Sequence, residues 1–194
     1  MRNDLHLAVA AIAILTTIGG STADAAVTVM GGGLGEACSK AAKVASRSAI
    51  ADDNGIRTCT LAIENEVLAT RDLAGTYVNR GILRMTRTWY RDAESDFNMA
   101  LYLMPTLGEA YVNRGAARIG ERRYAESLTD IDRGLALGSE EPEKAYFDRA
   151  LAHEFLDDMK AAYFDYLKAS ELKPDWEAPK RELARFTVSR APQH

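Results

Sequence analysis

Apolar and small residues recur at helical spacing through most of the chain, from about residue 36 onwards. The first two stretches of this kind predict helices over 36–48 and 54–68, separated by the turn-forming run Asp52-Asp53-Asn54-Gly55. Their expected inner faces are Ala37, Ala41, Val44, Ala45 and Ser48 in the first helix, and Ile56, Cys59, Ile63 and Val67 in the second. Residues 26–35 contain four glycines, which predicts a flexible or short extended leader.

A repeat of 34 residues organises the rest of the chain. The run Tyr77-Val78-Asn79-Arg80-Gly81 returns unchanged at 111–115 and in altered form at 146–150. Residues 74–107 and 108–141 match at ten positions, among them Arg84 with Arg118. The matching residues are large, small or aromatic residues suited to helix packing, so the period predicts stacked helical hairpins.

Over roughly 100 residues these units resemble the tetratricopeptide repeat, a family of helix-turn-helix units of 34 residues. The first helix of each unit has the aromatic and small residues of the family pattern: Tyr77 and Gly81, Tyr111 and Gly115, Tyr146 and Ala150. The second helix has a small, a large and a small residue: Ala93, Phe97 and Ala100; Ser127, Ile131 and Gly134; Ala162, Tyr166 and Ala169. Pro105 and Pro174 occupy the closing proline position, whereas the second unit has Ser139 there and one extra residue before Tyr146, so we expect an altered exit turn in that unit.

The resemblance implies an all-α fold in which the hairpins stack as a short right-handed solenoid. The expected division of the chain is a signal peptide at 1–25, a leader at 26–35, a degenerate hairpin at 36–73, repeats at 74–107, 108–142 and 143–176, and a C-terminal capping helix and tail at 177–194. A helix within Asp175 to Val188 would cover the last unit with Trp176, Leu183, Ala184 and Phe186.

The N-terminal residues have the pattern of a signal peptide. Arg2 supplies the positive charge, and Leu5–Ile18 is an apolar run too short to cross a bilayer. Ala23-Asp24-Ala25 is a cleavage site of the A-x-A type before Ala26. We therefore expect a periplasmic or secreted protein whose mature chain has no membrane span.

Two cysteines, Cys38 and Cys59, lie on the mature side of this site. An exported protein meets an oxidising compartment, and the two residues are placed almost symmetrically about the predicted turn of the first hairpin. They are expected to form a disulfide.

Composition favours a binding protein over an enzyme. The net charge of −4 and the absence of a basic patch argue against nucleic acid as a partner. His153 is the one histidine that lies between the signal peptide and the C-terminal residue, and its simplest role is that of a partly buried helix residue. No catalytic motif or metal-ligand set is present in the sequence, so we expect no catalytic residues, metal or cofactor.

The resemblance implies a concave surface lined by the first helix of each unit. The positions expected to be exposed on this surface and to bind a peptide are Val78, Asn79, Ile82, Val112, Asn113, Ala116, Phe147, Asp148 and Leu151. Asparagine side chains there can both donate to and accept from a peptide backbone. The alternative is that these residues pack onto the next repeat or onto the leader. Family members that grip a C-terminal carboxylate use lysine where Val78 and Val112 stand, so we do not expect a carboxylate clamp.

Three arginines precede an aspartate by 16 residues, once in each unit: Arg80 and Asp96, Arg114 and Asp130, Arg149 and Asp165. In a helical hairpin this spacing predicts an ion pair across the hairpin or between units. The functional alternative is that the arginines bind an anionic ligand in the groove.

These patterns predict a non-catalytic periplasmic scaffold that binds a protein or peptide partner on its concave face. The alternative is a structural or assembly subunit of an envelope complex with no dedicated groove ligand.

Overall fold

The computed structural model describes residues 26–29, 33–48, 50 and 52–187 in full, and the backbone alone of 5–8 and 188–190. Its elements in chain order are β1 (Leu5–Ala8), α1 (Leu34–Ser48), α2 (Asp53–Asn65), α3 (Thr70–Met85), α4 (Tyr90–Leu103), α5 (Gly108–Gly120), α6 (Tyr124–Ala136), α7 (Pro142–Phe155), α8 (Met159–Leu172), α9 (Glu177–Leu183) and β2 (Thr187–Arg190). The predicted signal peptide falls outside the described residues apart from β1. That strand pairs antiparallel with β2, and a chain cleaved before Ala26 would lack this pairing.

The helices pack as four antiparallel hairpins, α1 with α2, α3 with α4, α5 with α6 and α7 with α8. Each hairpin contacts the next, and α9 packs on α8 at the end of the array. Apart from the short strand pair, the described chain is therefore an all-α helical repeat solenoid, in which each unit buries apolar surface left by its neighbour.

Close approach within the hairpins depends on their glycines. A Cβ atom added to Gly81 would lie 2.5 Å from Phe97, and one added to Gly115 would lie 2.6 Å from Ile131. Both large residues are completely buried. The recurring small residue of the first helix therefore makes room for the large residue of the second.

The turn inside each of the three repeats has one residue in the left-handed conformation: Thr88, Arg122 and Asp157, with φ of 61°, 62° and 64°. In the first of them the amide of Trp89 donates to the carbonyl of Arg84, and the amide of Thr88 donates to that of Met85. The other two turns repeat this pattern, which closes the carbonyl end of a helix without a glycine.

The exit turn of the second unit differs from the other two. Gly138 has a φ of 81°, and the amide of Ser139 donates to the carbonyl of Gly134. A left-handed glycine thus ends α6 where Pro105 and Pro174 follow α4 and α8.

The first hairpin differs in detail from its predicted form. On α1 the buried side chains include Cys38, Ser39, Ala42 and Ala45, whereas the expected Val44 is 65% exposed. Cys38 and Cys59 form a buried disulfide with Cα atoms 4.8 Å apart, which turns α1 so that its cysteine side faces α2.

Helix α2 ends at Asn65, three residues earlier than predicted, so Val67 is fully exposed and not on an inner face. The Glu66 carboxylate just beyond this end accepts from the amides of Leu34 and Gly35, at 2.6 and 2.9 Å. A carboxylate in this place stabilises the start of α1, because the first amides of a helix have no partner within it.

The capping helix is shorter than the predicted span of Asp175 to Val188. It covers only Glu177–Leu183, and Ala184 is exposed. Trp176, Leu183 and Phe186 do pack against the last unit. The β-branched residues after Phe186 are better suited to a strand, and they begin β2.

Candidate functional site

The inner face of the array is formed by the first helices of the hairpins, α1, α3, α5 and α7. Successive first helices contact each other, whereas successive second helices make no comparable contact in the described part of the chain. The layer whose helices lie closer together is on the inside of the curve, so these four helices form the concave face.

The nine predicted groove residues all lie on α3, α5 and α7, but eight of them are buried and Leu151 is half-buried. The expectation that they are exposed is therefore wrong for the eight. The first helix of a repeat packs on the second helix of its own hairpin and on helices of the adjacent hairpins, so most of its surface is covered. Val112, for example, packs against Gly134 of α6 within its own hairpin.

Phe147 belongs to the interior of the last unit and not to an open groove. Its ring lies 5.3 Å from the ring of Tyr166 and 4.9 Å from that of Trp176. The cap therefore covers Phe147, and this residue is not available to a partner.

The leader residues Ala26–Val29 lie on the concave face, against α1 and α3. The carbonyl oxygen of Val27 accepts from Nδ2 of Asn79 at 2.7 Å and from Oγ of Ser39 at 3.1 Å. Val29 is 4% exposed, and Thr28 between the two valines is exposed. This alternation is that of an extended segment with one side facing the protein.

Asn79 thus donates to the leader of its own chain, which is the alternative set against peptide binding in the sequence analysis. The equivalent residue of the second unit, Asn113, donates from Nδ2 to the carbonyl oxygen of Glu109 in its own helix, at 2.9 Å. The third unit has Asp148 at this position, and an ionised aspartate can only accept. The same repeat position is thus used in different ways.

Gly75 makes the contact with the leader possible, and our sequence analysis did not single it out. A Cβ atom on Gly75 would lie 2.7 Å from Cγ1 of Val27. The other two units have Glu109 and Lys144 at this position. A comparison of the units at each position of the repeat would have revealed Gly75 as the exception.

The arginines and aspartates with the 16-residue spacing are in contact across each hairpin. The distances are 2.8 Å for Arg80 and Asp96, 2.7 Å for Arg114 and Asp130, and 2.7 Å for Arg149 and Asp165. All three aspartates are buried, and in each pair Nε of the arginine donates to the carboxylate as well. These are bidentate, charge-assisted hydrogen bonds between guanidinium and carboxylate.

Each aspartate also has a second basic neighbour, one turn further along the first helix. Arg84 lies 2.7 Å from Asp96, Arg118 lies 2.8 Å from Asp130, and Nε2 of His153 lies 3.9 Å from Asp165. The sequence match of Arg84 with Arg118 was the available signal for this arrangement. His153 is a half-buried helix residue that takes the place of an arginine.

The same arginines reach back to the preceding hairpin. Nη1 of Arg80 donates to Thr60 at 3.1 Å, that of Arg114 to Asn98 at 2.7 Å, and that of Arg149 to Asp132 at 2.7 Å. Each guanidinium also lies over the tyrosine three residues earlier, 5.1 to 5.5 Å from the ring centre. Each arginine thus has a fixed counter-charge, which argues against the alternative of an anionic ligand.

The pKa values of two carboxylates beside these arginines shift in opposite directions. Burial raises the pKa of Asp96, against the lowering effect of Arg80 and Arg84. Burial also acts to raise the pKa of Glu94, but hydrogen bonds from Arg123 and Arg118 outweigh it, and the pKa is lowered. Glu94 joins α4 to the next hairpin at 2.6 and 2.8 Å from these arginines.

Two kinds of feature are absent from the described residues. No group of three or more histidine, cysteine, aspartate or glutamate side chains is placed to hold a metal ion. No helix among these residues combines the length and the apolar character needed to cross a membrane.

Neither a protein-family model nor a curated protein matches the chain. Solved structures are similar to it, among them the following three. The Arabidopsis OM64 TPR domain is 21% identical, with a TM-score of 0.57, over 60% of this chain and 96% of that one. The first TPR domain of Spaghetti (RPAP3), bound to the HSP90 peptide SRMEEVD, is 23% identical, with a TM-score of 0.54, over 58% of this chain and 88% of that one.

MamA is 18% identical, with a TM-score of 0.61, over 79% of this chain and 82% of that one. It extends the likeness beyond the three clear repeats. Together with the hairpin geometry, these similarities show that the chain has the fold of tetratricopeptide-repeat proteins.

Proposed function

We propose that the protein is an exported, non-catalytic scaffold that binds an extended segment of a partner protein on its concave face, in the periplasm. The observation that supports the proposal is the leader itself. Asn79 and Ser39 hold a backbone carbonyl of an extended segment on α1 and α3. A face that holds one extended segment through its backbone has the chemistry to hold another.

The solved neighbours support the general role. The Spaghetti (RPAP3) domain has a peptide bound to it, so the fold binds a peptide in that protein. In the present chain we do not expect a charged end of the peptide to be gripped, because Val78 and Val112 are buried packing residues.

The ion pairs support a scaffold rather than a catalytic site. The arginines of the three repeats are used to join the helices of a hairpin and to join one hairpin to the next. Charges held in this way fix the shape of the array, and a fixed shape is what the recognition of a partner requires.

A second candidate, an assembly subunit, is favoured by apolar side chains on the second helices. Met99 and Tyr102 of α4 are 41% and 80% exposed, and Phe164 and Leu172 of α8 are 46% and 43% exposed. These helices form the outer layer, so a partner bound there would leave the concave face unused.

Site-specific photo-crosslinking in the envelope separates the two candidates. A photoreactive residue is placed either at Lys43 on the inner helix α1, beside the leader, or at Tyr102 on the outer helix α4. We expect a defined crosslinked partner from position 43 and none from position 102. Crosslinks from position 102 alone would favour assembly, and no crosslink from either position would contradict both candidates.

A further inference from the structure

We infer that the leader Ala26–Val29 occupies part of the partner site as an internal competitor. We infer also that the partner supplies a segment of the same kind, an extended strand with small β-branched side chains at alternate positions facing α3. This inference rests on the proposed function and adds to it the chemistry of the ligand.

The first determinant of that chemistry is a backbone carbonyl. Val27 O is held by two side chains from two different hairpins, Ser39 on α1 and Asn79 on α3. A main-chain oxygen is present in every peptide, so this contact selects for an extended backbone and not for a particular side chain. It also fixes the register of the segment relative to both helices.

The second determinant is the size of the side chain at the register position of Val27. Gly75 offers a flat backbone surface, and even a single added carbon on it would collide with Cγ1 of Val27. The site therefore fits a valine in close contact with the helix. A larger side chain would lift the backbone away from Asn79 and lose the hydrogen bond.

The third determinant is that the side chain at the position of Val29, two residues after Val27, must be apolar. Val29 is 4% exposed, and its methyl groups lie near Gly35 and Gly75. A charged residue there would be buried without a partner, which is strongly unfavourable. The intervening Thr28 is exposed and accepts from Lys43 at 2.8 Å, so a polar residue is accepted at the middle position.

The combination of glycine and asparagine occurs once in the repeats. The second and third units have Glu109 and Lys144 in place of Gly75, so neither presents a bare backbone at the position that Val27 contacts. The site for such a segment is therefore confined to the end of the array formed by α1 and α3, next to the point from which the leader enters α1.

A covalently attached segment competes at an effective concentration on the order of millimolar. A partner must therefore bind more tightly than the leader or be present at high local concentration. The leader consequently sets a threshold for binding and keeps the apolar contact surface covered when no partner is present.

The test uses two forms of the purified, exported protein: the wild type, and a Val27→Asp/Val29→Asp variant in which the leader cannot dock. The probe is the synthetic peptide acetyl-Ala-Val-Thr-Val-Met-Gly-amide, measured by calorimetry. We expect the variant to bind the peptide at least about tenfold more tightly than the wild type, because the internal competitor is removed. A peptide with both valines changed to aspartate should bind to neither form.

Asn79→Ala in the leader-displaced variant should weaken peptide binding about tenfold, the loss of one net hydrogen bond. The matched control is Asn65→Ala, since Asn65 is exposed and donates only within its own helix, to Leu61. If the aspartate variant does not fold, as judged by circular dichroism, Val27→Ser/Val29→Ser provides the same comparison.

Equal binding by the wild type and the variant, no binding by either, or equal effects of Asn79→Ala and Asn65→Ala would each overturn the inference. The outcome is separable from that of the proposed function. Crosslinks from position 43 together with no peptide binding would overturn only the present inference. Peptide binding together with no crosslink from position 43 would overturn only the proposed partner site.

Discussion

Removal of the Asp130 carboxylate should destabilise the central unit strongly. This carboxylate is 3% exposed and accepts from Nε and Nη2 of Arg114 at 2.8 and 2.7 Å. Nη1 of Arg118 lies 2.8 Å from Oδ2, the oxygen that also accepts from Nε of Arg114. Asp130→Ala would leave two guanidinium groups facing each other, with side chains only 17% and 16% exposed.

The expected loss follows from this geometry. Breaking a buried ion pair by removing one partner costs about 3–5 kcal/mol, and because both arginines keep some exposure we expect about 3 kcal/mol for Asp130→Ala. Arg114→Ala should cost less, about 2 kcal/mol, because Arg118 remains beside Asp130. The double variant should lose about 3–4 kcal/mol, which is less than the two single losses together, because the interaction can be removed only once.

Urea unfolding of the wild type, the two single variants and the double variant measures this coupling. A thermal melt should show Asp130→Ala lowered by about 6–12 °C, at about 2–4 °C per kcal/mol for a chain of this size. The control cycle is Glu36 with Lys40, an exposed pair on α1 with a 2.6 Å contact, for which we expect a coupling of about 0.3–0.5 kcal/mol. Additive losses in the Arg114 and Asp130 cycle would refute the reasoning.

Four further variants test other parts of the structure. Gly115→Ala should lower stability by about 1–3 kcal/mol, despite the better helix propensity of alanine, because its Cβ would lie 2.6 Å from α6; a melt equal to the wild type would contradict the packing. Thr88→Gly should raise stability by about 1 kcal/mol in urea unfolding, since a β-branched residue at a φ of 61° is strained. Replacing both Cys38 and Cys59 by alanine should cost about 3 kcal/mol, the loop-closure value for their separation of 21 residues, and no loss would contradict it. The pKa of Glu94 is lowered from its ordinary 4.5, so the stabilising effect of its ionised form is present above pH 4.5 and is lost as the pH falls through the folded-state pKa. Glu94→Gln should therefore reduce the loss of unfolding free energy on the acid side of a plot against pH. An unchanged pH dependence would count against this.

The helical repeats were predictable because their signals are local. The period of 34 residues and the pairing of Gly115 with Ile131 follow from residues that must pack within one hairpin. The spacing from Arg114 to Asp130 is of the same kind. Each signal is repeated in the neighbouring units, so chance can be excluded from the sequence alone.

The candidate site was less predictable because it depends on contacts between units. Val78 and Val112 were expected to be exposed, yet neighbouring helices cover them, and the amount of covering depends on how closely the first helices approach. The contact of the leader with Gly75 joins residues far apart in sequence through a segment with no repeat partner. The orientation of α1 also could not be read from its apolar residues, because the disulfide at Cys38 decides it.

The arginines of the three repeats each donate a hydrogen bond to the hairpin that precedes them in the chain, so these contacts all run in the same direction along the array. Arg149 donates to Asp132 in the hairpin before it, and Arg114 donates to Asn98 in the same sense. Detaching the last hairpin removes an arginine together with its own aspartate, so no isolated cation remains in the part that stays folded. Detaching the first would leave Arg80 without its contact to Thr60. Loss of the last hairpin thus leaves Arg80 and Arg114 with all of these contacts, whereas loss of the first hairpin costs Arg80 one hydrogen bond.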